Sequence, residues 1–380
     1  MIYLDNNATT QVVPEVFDAM RPFLDASYGN PSSVYSLGQE VKAEIETARG
    51  SVADLLGAAS TSEIAFTSGG TESDNWAILG ALEASPGKRH IVTTRVEHEA
   101  VRKLCQQLET KGYSVSWIDV DEQGALDLDQ IRDSIRDDTA IVSVMMANNE
   151  TGVLFPVADL AEIVKEKSDA VFHVDGVNAV GKVAIDLRNT GIDLFSTSAH
   201  KFHGPKGVGA LYIREGVKLP SIQIGGGQES ARRAGTEAVH QIAGIGAAAR
   251  YVSDQSSMER VRELRDKLEN AIIETIPKTS VNGDPKHRIP NTSNISFENT
   301  NGEMILSRLD DQDICVSTGS ACHAVDHSAS PVLQAMNIPY SRSMGSIRFS
   351  LGRLNSEEEI GVVLSKLPSM ISELRAISGY

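Results

Sequence analysis

From residue 63 to 213, short apolar runs alternate with stretches of helical periodicity, a pattern that few architectures accommodate. IAFT at 64–67 is followed by a helical pattern over 71–84, HIVTT at 90–94 by one over 98–111, and VSWI at 115–118 by one over 126–136. AIVSVMM at 140–146 precedes a helical pattern over 157–167, and AVFHV at 170–174 leads through a short link to LFST at 194–197 and GALYI at 209–213. Strands buried on both faces read as unbroken apolar runs, and parallel strands need crossovers such as the intervening helices. The sequence therefore predicts an α/β fold on a mainly parallel sheet covered on both faces.

Upstream, Pro14 opens an amphipathic run through Val16, Phe17, Met20, Phe23 and Leu24, and a second helix carries Val41, Ile45, Ala48, Val52 and Leu56 at helical spacing. After Thr236 a long, nearly continuous helical stretch runs to Ile276 and bridges to a smaller α+β unit. That unit has strands ISF at 295–297, ICV at 314–316 and IRFSL at 347–351, a helix over 303–310, and a final helix started by a capping box of Ser356 and Glu359. A chain of 380 residues, 41% of them hydrophobic, is long enough for one large and one small domain. The expected division is a large domain over 13–255 and a small one formed by 1–12 and 256–380.

The formal net charge of -16 is spread along the chain, which argues against a phosphate-backbone partner, so no nucleic acid is expected to bind directly. MIYLDNNATT lacks the regions of a leader, no apolar run approaches membrane-spanning length, and no membrane association is expected. Three cysteines, Cys105, Cys315 and Cys322, give no disulfide framework and fit a reducing compartment. The cytoplasm is the expected location, and any special cysteine is a reactive one.

In DLFSTSAHKFHGPKGVG at 193–209, Lys201 follows a buried strand and a polar turn, while Gly204, Pro205, Gly207 and Gly209 hold a tight, non-helical path. A lysine there is ordinarily a solvated charge. The stretches that follow make it the candidate to hold pyridoxal phosphate (PLP) as a Schiff base. In FTSGGTESDNWAIL at 66–79 a strand ends, Gly69 and Gly70 turn the chain and Thr71 opens a helix. Free N–H groups and a hydroxyl would meet a phosphate there, although a plain glycine turn with a capping threonine reads equally well from this stretch alone. Asp175 ends the strand FHVD; such an aspartate is commonly a turn former, but PLP needs a carboxylate beside its pyridine nitrogen.

His98 lies where a strand passes into a helix, as a cap or as a group flat against a cofactor ring and suited to proton transfer. Asn149 ends another strand. Arg348, within an apolar strand, is costly unless paired, either in a structural ion pair or with a substrate carboxylate. Cys322, in VSTGSACHAV at 316–325, sits among small and polar residues as nucleophilic thiols do. A metal site of Cys322, His323, Asp326 and His327 is the rival reading, but the spacing matches no standard zinc pattern and no metal is expected.

Together these stretches resemble the cysteine desulfurases of the NifS/IscS type, class-V aminotransferases within the fold-type I, aspartate aminotransferase-like PLP enzymes. The resemblance rests on YLDNNATT at 3–10, YGNPSS at 28–33, FTSGGTESDN at 66–75, the His98 segment, ANNETG at 147–152, HVDG at 173–176, SAHKFHGPKGVG at 198–209, RRAGTE at 232–237, STGSAC at 317–322 and IRFSLGR at 347–353. It implies that Lys201 holds PLP and moves the substrate α proton, that Asp175 pairs with the pyridine nitrogen and that His98 stacks on the ring. Gly70, Thr71, Ser198 and His200 would hold the phosphate, with Thr236 reaching it from the second subunit of a homodimer. Asn149 and Arg348 would bind the carboxylate of L-cysteine, and Cys322 would take its sulfur as a persulfide, release alanine and pass the sulfur to an acceptor protein, as in iron-sulfur cluster assembly.

Three positions depart from the pattern. Asn178 stands where the family usually has glutamine, one methylene longer, so its hydrogen bond to the ring hydroxyl is open. HAVDHSASPVL at 323–333 lacks the usual pattern after the cysteine, and the sequence ends at Tyr380 without the extension that docks a scaffold partner in the housekeeping forms. Selenocysteine lyase and other PLP lyases or aminotransferases share the fold; Cys322 discriminates, because an aminotransferase has no need of that thiol. A non-catalytic binding platform would have no reason to keep Lys201, Asp175, His98 and Cys322 together.

Overall fold

The computed structural model describes residues 1–318 and 330–378. After a two-residue N-terminal strand, β1 (Ile2–Tyr3), the apolar runs become β2 (Ile64–Thr67), β3 (His90–Thr94), β4 (Ser114–Ile118), β5 (Thr139–Met145), β6 (Val171–Asp175), β7 (Leu194–Ser198) and β8 (Gly209–Ile213). These seven, β2 to β8, form one sheet in the order β2-β8-β7-β6-β5-β3-β4. β8 runs antiparallel to both neighbours, and the other pairings are parallel.

Neighbouring residues on each strand point to opposite faces, and both faces are covered. Phe66, Val92, Val142 and Val174 pack with Ile45, Val52, Leu160, Ile242 and Ala248 from the helices Ser36–Leu56, Val157–Lys167 and Val239–Ser253. Ile91 and Ile141 meet Ile78, Ala81, Val101 and Leu104 from the helices Gly70–Ala84 and Glu99–Thr110. Ala65 and Leu211 meet Trp76 on that same side. Loops at the carboxyl ends of the parallel strands, where ligands bind in such sheets, therefore carry the polar residues.

Some helical patterns are shorter than the sequence suggests. The run from Pro14 splits into Pro14–Met20 and Pro22–Asp25, and the pattern over 126–136 contracts to Leu128–Ser134 because Asp127 caps it, accepting from the N–H groups of Asp129 at 2.9 Å and Gln130 at 3.3 Å. The stretch after Thr236 begins at Val239 and breaks between Ser253 and Ser256, where the Asp254 carboxylate accepts from the backbone N–H and the hydroxyl of Ser256 at 2.8 and 2.9 Å.

The remaining strands are β9 (Thr279–Asn282), β10 (Thr292–Phe297), β11 (Ile314–Cys315) and β12 (Ser346–Ser350). β12, β10 and β9 form an antiparallel sheet in that order, and β11 pairs in parallel with β1. Leu4, Leu268, Ile295, Phe297, Ile305, Phe349, Ile360 and Leu367 share a second apolar cluster. Ser356 and Glu359 make the expected reciprocal cap: the Ser356 N–H donates to Glu359 at 3.1 Å and the Glu359 N–H to Ser356 Oγ at 3.3 Å. Between the two clusters the N-terminal segment bridges both sheets, its Asn6 N–H donating to the Ser350 carbonyl at 3.0 Å and its Thr10 N–H to the His200 carbonyl at 2.8 Å. That bridge brings Asn7 and Ala8 against Lys201.

Candidate active site

A cavity of about 390 Å³ opens at the carboxyl ends of β5, β6 and β7. Lys201, Asp175, His98, Gly70, Thr71, Asn178, Ser198, His200, Asn149 and Arg348 all lie on its wall. Thr236 does not: it is exposed, in a loop tied to the helix Gly70–Ala84 by the bidentate pair of Arg233 and Glu72 at 2.8 and 3.0 Å. Cys322 lies outside the described residues, as do His323, Asp326 and His327. Among the described residues no cluster of three His, Cys, Asp or Glu side chains could hold a metal ion.

β7 ends at Ser198 and a single helical turn, Ala199–Lys201, aims the lysine back into the cavity. Its Nζ donates to the carbonyls of Asn7 at 2.5 Å and Ala8 at 3.0 Å. Asp175, the last residue of β6, is buried, and Oδ1 accepts from the Val177 N–H at 2.9 Å. Burial raises its pKa, while His98 and Lys201 favour its charged form. His98 caps the helix Glu99–Thr110, its Nδ1 accepting from the Ala100 N–H at 3.2 Å, so the ring proton sits on Nε2. The ring is open to the cavity; surrounding protein and then the nearby Lys201 amine lower its pKa, against Asp175. His200 is pushed down to about 4, first by burial and then by Lys201.

Thr71 is the second residue of its helix, not the cap; that place belongs to Gly69, whose φ of 151° and ψ of -175° are open essentially only to glycine. Gly70 and Thr71 therefore present helix-start N–H groups to the cavity. The approach is close: a Cβ on Gly209 would lie 2.5 Å from the Thr197 carbonyl oxygen and 2.7 Å from Gly69 Cα. On the opposite wall Arg348 Nη2 pairs with Asp5 at 2.7 Å and Nη1 donates to the Asn149 carbonyl at 2.9 Å, while its buried Nε has no hydrogen-bond partner. The structural ion pair is thus real, and the guanidinium Nε has no acceptor among the described residues.

Sequence reasoning passed over three buried acids on this wall. Glu97 Oε1 accepts from Thr94 Oγ1 at 2.8 Å and the Met145 N–H at 3.0 Å, Oε2 has no partner among the described residues, and burial pushes the pKa up to about 8. Asp74 is raised well above the usual range by burial and by Asp175, and its Oδ1 also lacks a hydrogen bond among the described residues. Glu150, raised to about 7 by burial, accepts from Ser330 Oγ at 2.5 Å. No signal in the sequence marks them, since a buried acid and a solvated one are written with the same letter.

These residues fit PLP. The glycine-lined helix start can take a phosphate, Lys201 offers an amine to the aldehyde, and Asp175 offers a buried carboxylate favoured in its charged form by both His98 and Lys201. Arg348, on the cavity wall, is a cation that an amino acid carboxylate would meet there.

Residues 2–363 match the family model for class-V aminotransferases. A relative named cysteine desulfurase, from Trichormus azollae, is 49% identical over 382 aligned positions that cover 100% of this chain and 95% of the relative. Among solved structures, a NifS-like protein superposes with a TM-score of 0.92 at 38% identity, covering 98% of this chain and 100% of its own. SspA, solved in complex with cysteine, gives a TM-score of 0.84 at 32% identity over 94% of this chain and 100% of its own. The fold, the lysine-and-carboxylate cavity and the match over nearly the whole length agree: the chain belongs to the class-V aminotransferase family.

Proposed function

We propose that the protein is a PLP-dependent cysteine desulfurase, which converts L-cysteine to alanine, leaves a persulfide on Cys322 and hands that sulfur to an acceptor protein. The observation that carries the reading is the convergence of Lys201, Asp175 and the helix start at Gly70 and Thr71 on one cavity whose other wall bears Arg348. Relatives named cysteine desulfurase and a structural neighbour solved with cysteine support the choice of substrate.

PLP, when bound, supplies an electron sink for bonds at the α-carbon of an amino acid. Gly70, Thr71, Ser198 and His200 hold its phosphate. Asp175 keeps a proton on the ring nitrogen, and His98 walls the ring. Arg348 and Asn149 orient the substrate carboxylate, and Lys201 Nζ carries the α proton. Cys322 attacks the substrate sulfur: a sulfur-sulfur bond forms, the carbon-sulfur bond breaks with its electron pair on carbon, and that carbon takes up a proton to become alanine. The exposed Thr236 reaches the phosphate site of a second copy in a homodimer, and the enzyme works in the reducing cytoplasm. No helix among the described residues is long and apolar enough to cross a membrane.

Borohydride reduction of the yellow protein followed by peptide mapping tests the cofactor's attachment. The label is expected on Lys201; a label on Lys182 or any other lysine overturns the assignment.

A further inference from the structure

The roles above leave one buried cation of this region unused. Lys182 is 7% exposed and lies behind the cavity wall, within a run of turns that starts at Gly176. Its Nζ donates to Asn178 Oδ1 at 2.6 Å and to Asn7 Oδ1 at 3.0 Å. Both partners are amide oxygens, not carboxylates. The charged groups that act on it or that it acts on are Lys201, Arg348, His200 and His203, and Arg353 lines the same small cavity, so none of these described neighbours neutralises a charge. Burying an amine in that company is costly, and its pKa falls well below the usual lysine value.

The two hydrogen bonds have a definite consequence. The Asn148 carbonyl can only accept, so the Asn178 NH₂ group gives it one hydrogen at 3.1 Å, and the oxygen of Asn178 is left to accept from the Lys182 amine. Asn178 lines the large cavity, which leaves its second amide hydrogen to the cavity side. Asn7 is fixed by the same logic: Oδ1 takes Lys182 and Asn291, and Nδ2 donates to Thr292 Oγ1 at 2.8 Å. The Asn7 carbonyl in turn accepts from Lys201 at 2.5 Å. A single buried amine thus braces both the amide beside the cofactor site and the residue on which Lys201 rests. A water-sized cavity of about 20 Å³ has both lysines on its wall.

We propose that Lys182 is a positioning residue that acts through Asn178: it locks the amide so that its N–H, never its oxygen, is offered to the hydroxyl of the bound PLP ring. The proposal rests on PLP occupying the cavity.

The test is the pH titration of the visible absorption of the holoenzyme, with PLP affinity and thermal midpoint measured alongside, for wild type, Lys182→Met, Asn178→Ala and the double variant. Lys182→Met is expected to move the titration midpoint by about one pH unit, the equivalent of one charge-assisted hydrogen bond. In the Asn178→Ala background the same change should move it no further. Lys182→Gln, which keeps a neutral donor, guards against misfolding of the methionine variant, and its midpoint should fall between the two. A wild-type midpoint in both Lys182 variants, with only the thermal midpoint altered, assigns a structural role and overturns the proposal. An undiminished shift in the Asn178→Ala background overturns it too, because Lys182 would then act on the ring by another route. A wild-type protein with no visible chromophore overturns the PLP reading itself.

Discussion

Replacing Glu97 by glutamine should stabilise the cofactor-free protein, and should do so more as the pH rises. Glu97 is 4% exposed, with one oxygen satisfied and the other without a partner among the described residues. Burial, reinforced by Asp175, lifts its pKa from 4.5 to about 8. For a group raised in the folded state, the stabilising contribution is complete below the unfolded pKa and is lost as pH climbs to the folded one. Across that window the unfolded chain has released its proton and the folded chain has not, which costs about 1.4 kcal/mol per pH unit. Glutamine removes the titration, keeps an oxygen for Thr94 and Met145, and puts a donor where Oε2 was. The gap between Glu97→Gln and wild type should therefore widen by about 2–3 kcal/mol between pH 5.5 and pH 8. In a chain of this length that is roughly 2.5–4 °C in thermal midpoint, read by scanning calorimetry on cofactor-free protein. A gap that does not change with pH, or a wild type more stable than the variant at pH 8, would refute the placement of a neutral acid at Glu97.

Gly209→Ala sets a Cβ 2.5 Å from the Thr197 carbonyl oxygen, with β8 already against Gly69; it should cost about 1–3 kcal/mol and weaken PLP binding at least about tenfold, and an unchanged cofactor titration would contradict the close-packed phosphate cradle. Arg348→Ala should raise the KM for cysteine by about tenfold or more while the visible spectrum of bound PLP persists; an unchanged KM would leave Arg348 with only its Asp5 ion pair. Cys105→Ser should form alanine at the wild-type rate, since burial pushes that thiol up to about 12 and keeps it protonated. Loss of alanine formation in that variant, with the fold intact by circular dichroism, would contradict it.

What the sequence disclosed follows the physics of each element. The strands of the large sheet were legible because burial on both faces makes them continuous apolar runs, and Lys201 and Asp175 stood out as polar residues at the ends of such runs. β1 was missed because two residues show no period and because its pairing joins Ile2 to the distant Ile314, whereas its partner β11 was read as ICV at 314–316, one residue longer than it is. The break at Asp254 hid inside a helical pattern, since a side-chain oxygen capping Ser256 leaves no trace in apolar spacing. Glu97, Asp74 and Lys182 were invisible for a different reason. Their roles depend on partners from distant segments, as Lys182 depends on Asn7, 175 residues away, and a charged residue carries no mark of burial in its own letter. Thr236 shows the converse: its motif is plain in the sequence, and one chain alone does not bring it to the cavity.

The most direct test is to find the sulfur. Wild-type holoenzyme is given one equivalent of isotopically labelled cysteine with no acceptor, quenched, digested and mapped by mass spectrometry, with alanine counted in the same sample. One labelled sulfur on the peptide that contains Cys322, matched by an equal amount of alanine, is the predicted result. Labelled sulfur on Cys105 or Cys315, or alanine formed with no sulfur on any cysteine, would contradict the assignment of this chain as a persulfide-forming desulfurase.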